Sequence, residues 1–371
     1  ESKYDALLAA NLHPSAPSER HVFAKRARIW VNADGFLTYL GRASLLAFEP
    51  GPPARFRFAA NAGDGRRVGL SMTAFMPEGE NTTVVRLERT RGAADIGPSL
   101  PDEVDVRLTV RVDIEDRSFH GETTRNEGTE EHFTAHVRTL PEAKGFAFEP
   151  ASDRHLRVFM SHGVFHPGPE WTRAAHPVEA TRGLIAEGDA YSPGWFDVGL
   201  SSGIPVTLVV SAEPTTRVDA LPSPAALPAA DEFTARLERA SRSFLARRGD
   251  GSTVIAGFPW FLDWGRDTLI ALRGLVAAGF HEETRAILRT FAALERDGTL
   301  PNALSADSTQ DRDTSDAPLL LALACSEAAS HLGDGLFTEP LEDGRTIDDV
   351  LLSIARSYLH GCANEVAVDL E

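Results

Sequence analysis

The most chemically loaded stretch of the sequence is Ala256-Gly257-Phe258-Pro259-Trp260-Phe261-Leu262-Asp263-Trp264-Gly265-Arg266-Asp267-Thr268. It places four aromatic rings and the cluster Asp263-Trp264-Gly265-Arg266-Asp267 directly before an apolar helical pattern. Aromatic faces stack on the C–H faces of pyranose rings, and carboxylate and guanidinium groups pair with vicinal hydroxyls. A neutral sugar is the ligand such a set suits. A plainer reading competes with it. Asp267 and Thr268 sit where helix-capping residues belong, and an Arg–Asp surface pair beside a packed ring is common.

A second cluster begins at Leu300-Pro301-Asn302 and continues through Asp307, Asp311 and Asp313 to Asp316-Ala317, where a strongly apolar helix starts. A carboxyl at that point either caps the helix, as the macrodipole favours, or projects from a pocket wall as an acid. Spacing alone leaves both open. His132 and His136 lie four apart, as do His162 and His166, with no carboxylate or cysteine at metal-ligand spacing. Both pairs fall in a region of β character, where positions four apart share a face. A surface or interstrand role is expected for them, and no metal site. The chain contains no P-loop, G-x-G-x-x-G, G-x-S-x-G elbow or H-E-x-x-H, so kinase, dehydrogenase, serine hydrolase and zinc protease chemistry lose support.

The elements that must carry these clusters change character along the chain. Up to about residue 215 the pattern is strands and turns. Ala27 to Leu40 holds two β-prone runs around Asn32-Ala33-Asp34-Gly35, a hairpin signal, and Val104 to Ile114 alternates with period two. Further β runs follow at Leu156 to Met160 and Ile204 to Val210, which together predict a β-sandwich. The Pro/Ala-rich stretch 219–230 reads as a semi-rigid linker. Beyond it the apolar period becomes helical, at Phe233 to Leu245, Leu269 to Ala278, Glu282 to Leu294, Ala317 to Leu332 and Ile347 to Leu359. The sequence therefore divides into a β domain at 1–218, the linker, and a helical domain at 231–371.

Composition narrows the partners. With 371 residues and a formal net charge of −17, the chain would be repelled by phosphate backbones and anionic lipid, so neither nucleic acid nor a membrane surface is expected as a partner. The longest apolar run, Ala317 to Cys325, is well short of the roughly 20 residues of a membrane span. Two cysteines, Cys325 and Cys362, are too few for a disulfide framework and point to a reducing, cytoplasmic setting. The sequence has no initiator Met and closes without a stop signal at Glu371, so it is expected to be a piece of a longer protein.

Gly257 to Leu275, GFPWFLDWGRDTLIALRGL, resembles the signature of bacterial and archaeal glycogen debranching enzymes, the amylo-α-1,6-glucosidases. Leu300 to Ala317 is similar to their L-P-N … D-A segment. Ser2 to Leu8 resembles their N-terminal domain, as does the stretch holding Pro177, Glu179, Arg182-Gly183, Glu187, Asp189, Pro193-Gly194 and Phe196. The resemblance implies a supersandwich-like β domain followed by part of an (α/α)6 toroid. It implies cofactor-free, inverting hydrolysis of α-1,6-linked glucose at the branch points of glycogen or limit dextrin. Arg266 and Asp267 would bind the sugar's hydroxyls and Trp264 would line its subsite. Trp260, Asp263, Asn302 and Asp313, in the same matched motifs, complete the expected binding set. Asp316 would be the general acid, buried beside apolar helix residues so as to hold its proton. Inversion needs a second carboxylate roughly 6.5–9.5 Å away to activate water, and the resemblance places it beyond Glu371. Two positions depart from the family pattern: Pro318-Leu319-Leu320 replace aromatics after the D-A pair, and Asp313 stands where Asn is common. The alternatives are another toroid glucosidase, of glucoamylase or trehalase type, and a catalytically silent glucan-binding protein.

Overall fold

A computed structural model describes residues 2–13, 16, 19–90, 97–214, 233–258, 261–304, 311–362 and 366. The expected linker 219–230, Trp260 and Asp307 lie outside the described residues. The chain forms two compact units, one of Glu1–Leu12 with Arg20–Leu227 and the other of His13–Glu19 with Pro228–Glu371.

The first unit is mostly β. Its six-stranded sheet runs in the order Leu8–Asn11, Arg20–Ala33, Val106–Ser118, Glu187–Gly199, Val164–Ala175, with Phe36–Tyr39 paired to Arg20–Ala33. The eight-stranded sheet runs Leu45–Glu49, Ala54–Asn61, Arg67–Phe75, Thr82–Thr90, Val206–Ser211, Arg154–Met160, Gly145–Ala151, Val137–Thr139. Alternating apolar residues of both sheets meet in one core: Val31, Leu108 and Phe196 from the first, Leu70, Leu87 and Leu156 from the second. The Asp34-Gly35 hairpin forms as its dipeptide requires. Ala33 pairs with Phe36, and the two turn residues take positive φ of 52° and 83°. Two sequence segments that carry the family resemblance touch inside this unit. The Ser2 hydroxyl donates to Glu179 Oε1 at 2.6 Å and the Lys3 amide to Oε2 at 3.2 Å, with Glu179 fully buried.

Among the described residues two α-helices interrupt the β unit, α1 (Glu127–His136) and α2 (Pro177–Thr181). The first corrects the strand reading of His132 and His136. Asn126 caps α1 in a reciprocal capping box with Thr129, Glu127 and Glu130 occupy its first turn, and His136 its last. His132 Nε2 is committed to Asp116 Oδ2 at 2.8 Å. Asp116 also meets His21 Nε2 at 2.6 Å and accepts from Arg154 Nη1 at 2.8 Å.

The second unit is helical: α3 (Phe233–Phe244), α4 (Gly265–Ala277), α5 (His281–Ala293), α6 (Ala317–Leu332), the short α7 (Gly335–Thr338) and α8 (Ile347–His360). The stripes of α4, α5, α6 and α8 converge on one core of Leu269, Leu272 and Val276, Leu288 and Phe291, Leu321 and Ala324, and Ile354, whereas α3 buries none of its residues. A hairpin of Leu245–Arg248 and Gly251–Val254 follows α3, turning through Gly249-Asp250. No helix among the described residues is long and apolar enough to cross a membrane.

Candidate active site

The two sequence clusters of the helical unit lie side by side because a two-residue ladder joins them. Asp263 pairs with Leu304 and Trp264 with Ala303, antiparallel. The next amide, of Gly265, donates to the Asn302 carbonyl at 2.9 Å. That approach is tight for anything larger than glycine: a Cβ there would stand 3.0 Å from the Pro301 carbonyl oxygen and 3.4 Å from the Phe291 ring. Downstream, the Asn302 amide donates to the Asp311 carbonyl at 2.7 Å, and its side-chain Nδ2 to Asp311 Oδ2 at 3.3 Å. Arg312 then fastens the start of the next segment, donating through Nη1 to the Thr299 carbonyl at 3.0 Å and through Nη2 to the Leu294 carbonyl at 2.9 Å. The chain is thereby delivered to the N-terminus of α6 beside that of α4.

At that junction Arg266 and Asp316 meet. Arg266 Nε stands 2.6 Å from Asp316 Oδ2, and its Nη2 donates to Oδ1 at 3.2 Å. Asp316 occupies the N-cap position of α6, yet its backbone is helical and its side chain makes no capping bond. The capping reading of Asp316 is therefore set aside, and its carboxylate is directed to Arg266. Nor do Asp267 and Thr268 cap α4. The cap position is Trp264, without a side-chain bond; Asp267 falls in the first turn, where its charge suits the dipole. The Thr268 hydroxyl, fully buried, donates to the Val254 carbonyl at 3.4 Å. The Tyr358 hydroxyl of α8 donates to the Ser315 carbonyl, one residue before Asp316. Burial pushes the Tyr358 phenol above its usual pKa, and the Cys362 and Asp316 charges add to the rise.

The pair is not sheltered. The Arg266 and Asp316 side chains are 55% and 42% exposed. Apolar burial of the expected acid is thus not present among the described residues. Two hollows of about 270 and 320 Å³ in this unit are lined by none of Trp264, Arg266, Asp267 or Asp316. What the site offers is an open, polar corner, with Trp264, two residues before Arg266, 37% exposed.

The other expected residues separate into two groups. Asp267 and Asp313 are exposed, and Asn302 is half-buried with its side chain on Asp311. Asp263 differs from all of them. Its side chain is fully buried, with Oδ2 accepting from Arg248 Nη1 at 2.5 Å and from the Thr253 hydroxyl at 3.1 Å. Burial pushes its carboxyl up to about 6 against the pull of Arg248. It faces the interior, onto the hairpin that carries Arg248 and Thr253. Sequence reasoning missed Arg248, Thr253 and Tyr358. The Asp250-Gly251 dipeptide was a usable signal for the hairpin that presents the first two; nothing local marks Tyr358.

The sequence matches two family models, one described as glycogen debranching enzyme N terminal over residues 1–207 and one as amylo-α-1,6-glucosidase over residues 239–371. No curated protein matches it. Among solved structures, a bacterial glucoamylase complexed with acarbose is similar over 91% of this chain at 11% identity, with a TM-score of 0.45. Heparinase III is similar over 45% of this chain and 21% of its own length, at 14% identity and a TM-score of 0.25. The chain spans 57% of the length of the glucoamylase.

Proposed function

Because the chain belongs to the glycogen debranching enzyme family, we propose that it carries the glucose-gripping half of an inverting amylo-α-1,6-glucosidase, acting on the α-1,6 branch stubs of glycogen or limit dextrin. On this reading the β unit corresponds to a supersandwich at 1–218 and the helices from 231 onward to part of an (α/α)6 toroid. On the same reading the setting is cytoplasmic, as the low cysteine content of the sequence suggests.

The observation that carries the reading is the Arg266–Asp316 contact at 2.6 Å. It joins the two motifs that a sugar-cleaving site needs together, one to hold a ring and one to supply a proton. A terminal glucose would stack on Trp264 and take hydrogen bonds from Arg266, with Asp267 accepting from its hydroxyls. Asp316 would donate its proton to the glycosidic oxygen as the C–O bond breaks, since the departing sugar alkoxide is a poor leaving group otherwise. On this reading sugar binding draws Arg266 away from Asp316 and onto the hydroxyls, which frees Asp316 to face the glycosidic oxygen in a site that the ring screens from water. The carboxylate that activates the attacking water is assigned to no residue of this chain.

The exposed ion pair also supports a second reading, a glucan-binding protein without turnover. Glucose release by the full-length protein, which must supply the water-activating carboxylate, from an α-1,6-branched maltooligosaccharide, from maltotriose and from trehalose separates the cases. Release from the branched substrate alone is expected. Release only from maltotriose or only from trehalose would move the assignment to a glucoamylase- or trehalase-type enzyme. Binding of the branched substrate with no release from any of the three would favour the silent protein.

A further inference from the structure

Asp263 belongs to the motif but not to the surface the motif presents. The segment that carries Trp264 and Arg266 is held to its neighbour by a ladder of two residues, too short to fix itself. Nor does any side-chain cap pin the start of α4. The fixed point beneath it is the buried carboxylate of Asp263, gripped by Arg248 at 2.5 Å and Thr253 at 3.1 Å, both on the hairpin that follows α3. Thr268, one turn into α4, ties to the same hairpin through the Val254 carbonyl.

We propose that Arg248 and Asp263 form a positioning latch that sets where Trp264 and Arg266 stand, and so governs sugar affinity rather than the chemical step. A buried ion pair is rarely kept for stability alone, because apolar residues of similar volume often do as well. A fixed geometry is the better-attested use, and here the pair lies one residue from a binding ring and three from a binding guanidinium. Asp263 Oδ1 has no side-chain partner among the described residues, so Arg248 and Thr253 are the side chains that orient the carboxylate through Oδ2. With its carboxyl pushed up to about 6, Asp263 loses its charge in mildly acidic solution, which releases Arg248. The functional half of this inference rests on the sugar-site reading above; the structural half does not.

The test uses the whole chain carrying Asp316→Asn to prevent turnover, with an α-1,6-branched maltooligosaccharide as the binding probe and amide hydrogen exchange as an independent readout. Asp263→Asn is expected to weaken binding tenfold or more and to speed exchange at Trp264–Arg266 and Ala303–Leu304, leaving Leu272, Leu288 and Leu321 as protected as before. Binding should also weaken between pH 7 and pH 5 with Asp263 present and be flat across that range with Asn. If Asp263→Asn does not fold, Arg248→Lys, which keeps the charge but shortens the reach, takes its place with the same local exchange signature expected. Unchanged exchange at Trp264–Arg266, or acceleration spread evenly through the helical core, would overturn the latch. A parent protein that fails to bind the oligosaccharide, yet shows the local exchange response, would retain the latch and remove the sugar reading instead.

Discussion

Replacing either partner of the Arg266–Asp316 pair should affect binding in opposite directions. The pair is bidentate but half-exposed, so breaking it costs about 0.5 kcal/mol, midway in the range for such contacts. A hydrogen bond from a charged guanidinium to a sugar hydroxyl returns about 1.5–3 kcal/mol. Arg266→Ala therefore loses about 1–2.5 kcal/mol of net affinity, which is about five- to seventyfold in Kd. Asp316→Asn leaves the bond to the sugar intact and removes the pair that binding must break. Its affinity should be equal or about twofold tighter, while turnover falls by about 10²–10⁴ with loss of the proton donor. In the Asp316→Asn background, Arg266→Ala should cost the full 1.5–3 kcal/mol or so, giving a coupling of about 0.5 kcal/mol across the cycle. Isothermal titration with the branched maltooligosaccharide measures the affinities, and glucose release by the full-length protein measures turnover. Asp316→Asn weakening binding fivefold or more would place that carboxylate on the sugar in the ground state and refute the exchange of partners. Small, equal changes from both variants would reduce the pair to a surface contact.

Other substitutions test the scaffold. Gly265→Ala puts a Cβ 3.0 Å from the Pro301 carbonyl oxygen and 3.4 Å from the Phe291 ring, so it should destabilise the helical unit by about 1–3 kcal/mol, read as a lower midpoint in urea. Tyr358→Phe removes the donor to the Ser315 carbonyl and should cost about 0.5–1.5 kcal/mol in the same assay, with turnover reduced because Asp316 follows directly. In the β unit, hydrogen bonds from His21 and His132 and the Arg154 charge hold the Asp116 carboxyl down at about 2, against its burial. Its folded value lies below its unfolded one, so the stabilisation is complete above about pH 4 and is lost as pH falls towards 2. Asp116→Asn should lower stability at pH 6 and flatten that acid limb in pH-dependent urea melts.

The fold was legible wherever a period repeats long enough to be read. Helices α4, α5, α6 and α8 sit where the 3.6-residue stripes place them, because those stripes are what the shared core of Leu272, Leu288 and Leu321 requires; α3 also forms on its stripe, although none of its residues is buried. The Asp34-Gly35 hairpin was legible for a different reason: only a few dipeptides accept two successive positive φ angles. By contrast, α1 has a weak apolar stripe with Phe133 alone buried, so its only announcement is the Asn126–Thr129 cap. Period counting assigned that segment to its β surroundings. Residues that act across the sequence were not legible at all. Arg248 reaches Asp263 over 15 positions and Tyr358 reaches Ser315 over 43, and neither distance leaves a local pattern.

The same limit explains why the sequence treated the motif as one functional unit when the fold divides it by depth. In D-W-G-R-D the first Asp points inward and the Arg outward, because a short strand sends alternate side chains to opposite faces before the helix begins. Asp263 faces the hairpin and Trp264 faces solvent; Gly265 lets the backbone close on Asn302, and only then does the first helical turn bring Arg266 to Asp316. The motif reading names Asp263, Trp264, Arg266 and Asp267 together as sugar contacts. The alternation instead turns Asp263 inward onto Arg248, and Gly265 holds the backbone against Asn302. Substituting Asp263 or Gly265 should therefore move Trp264 and Arg266 together, whereas substituting Arg266 should leave the backbone where it is.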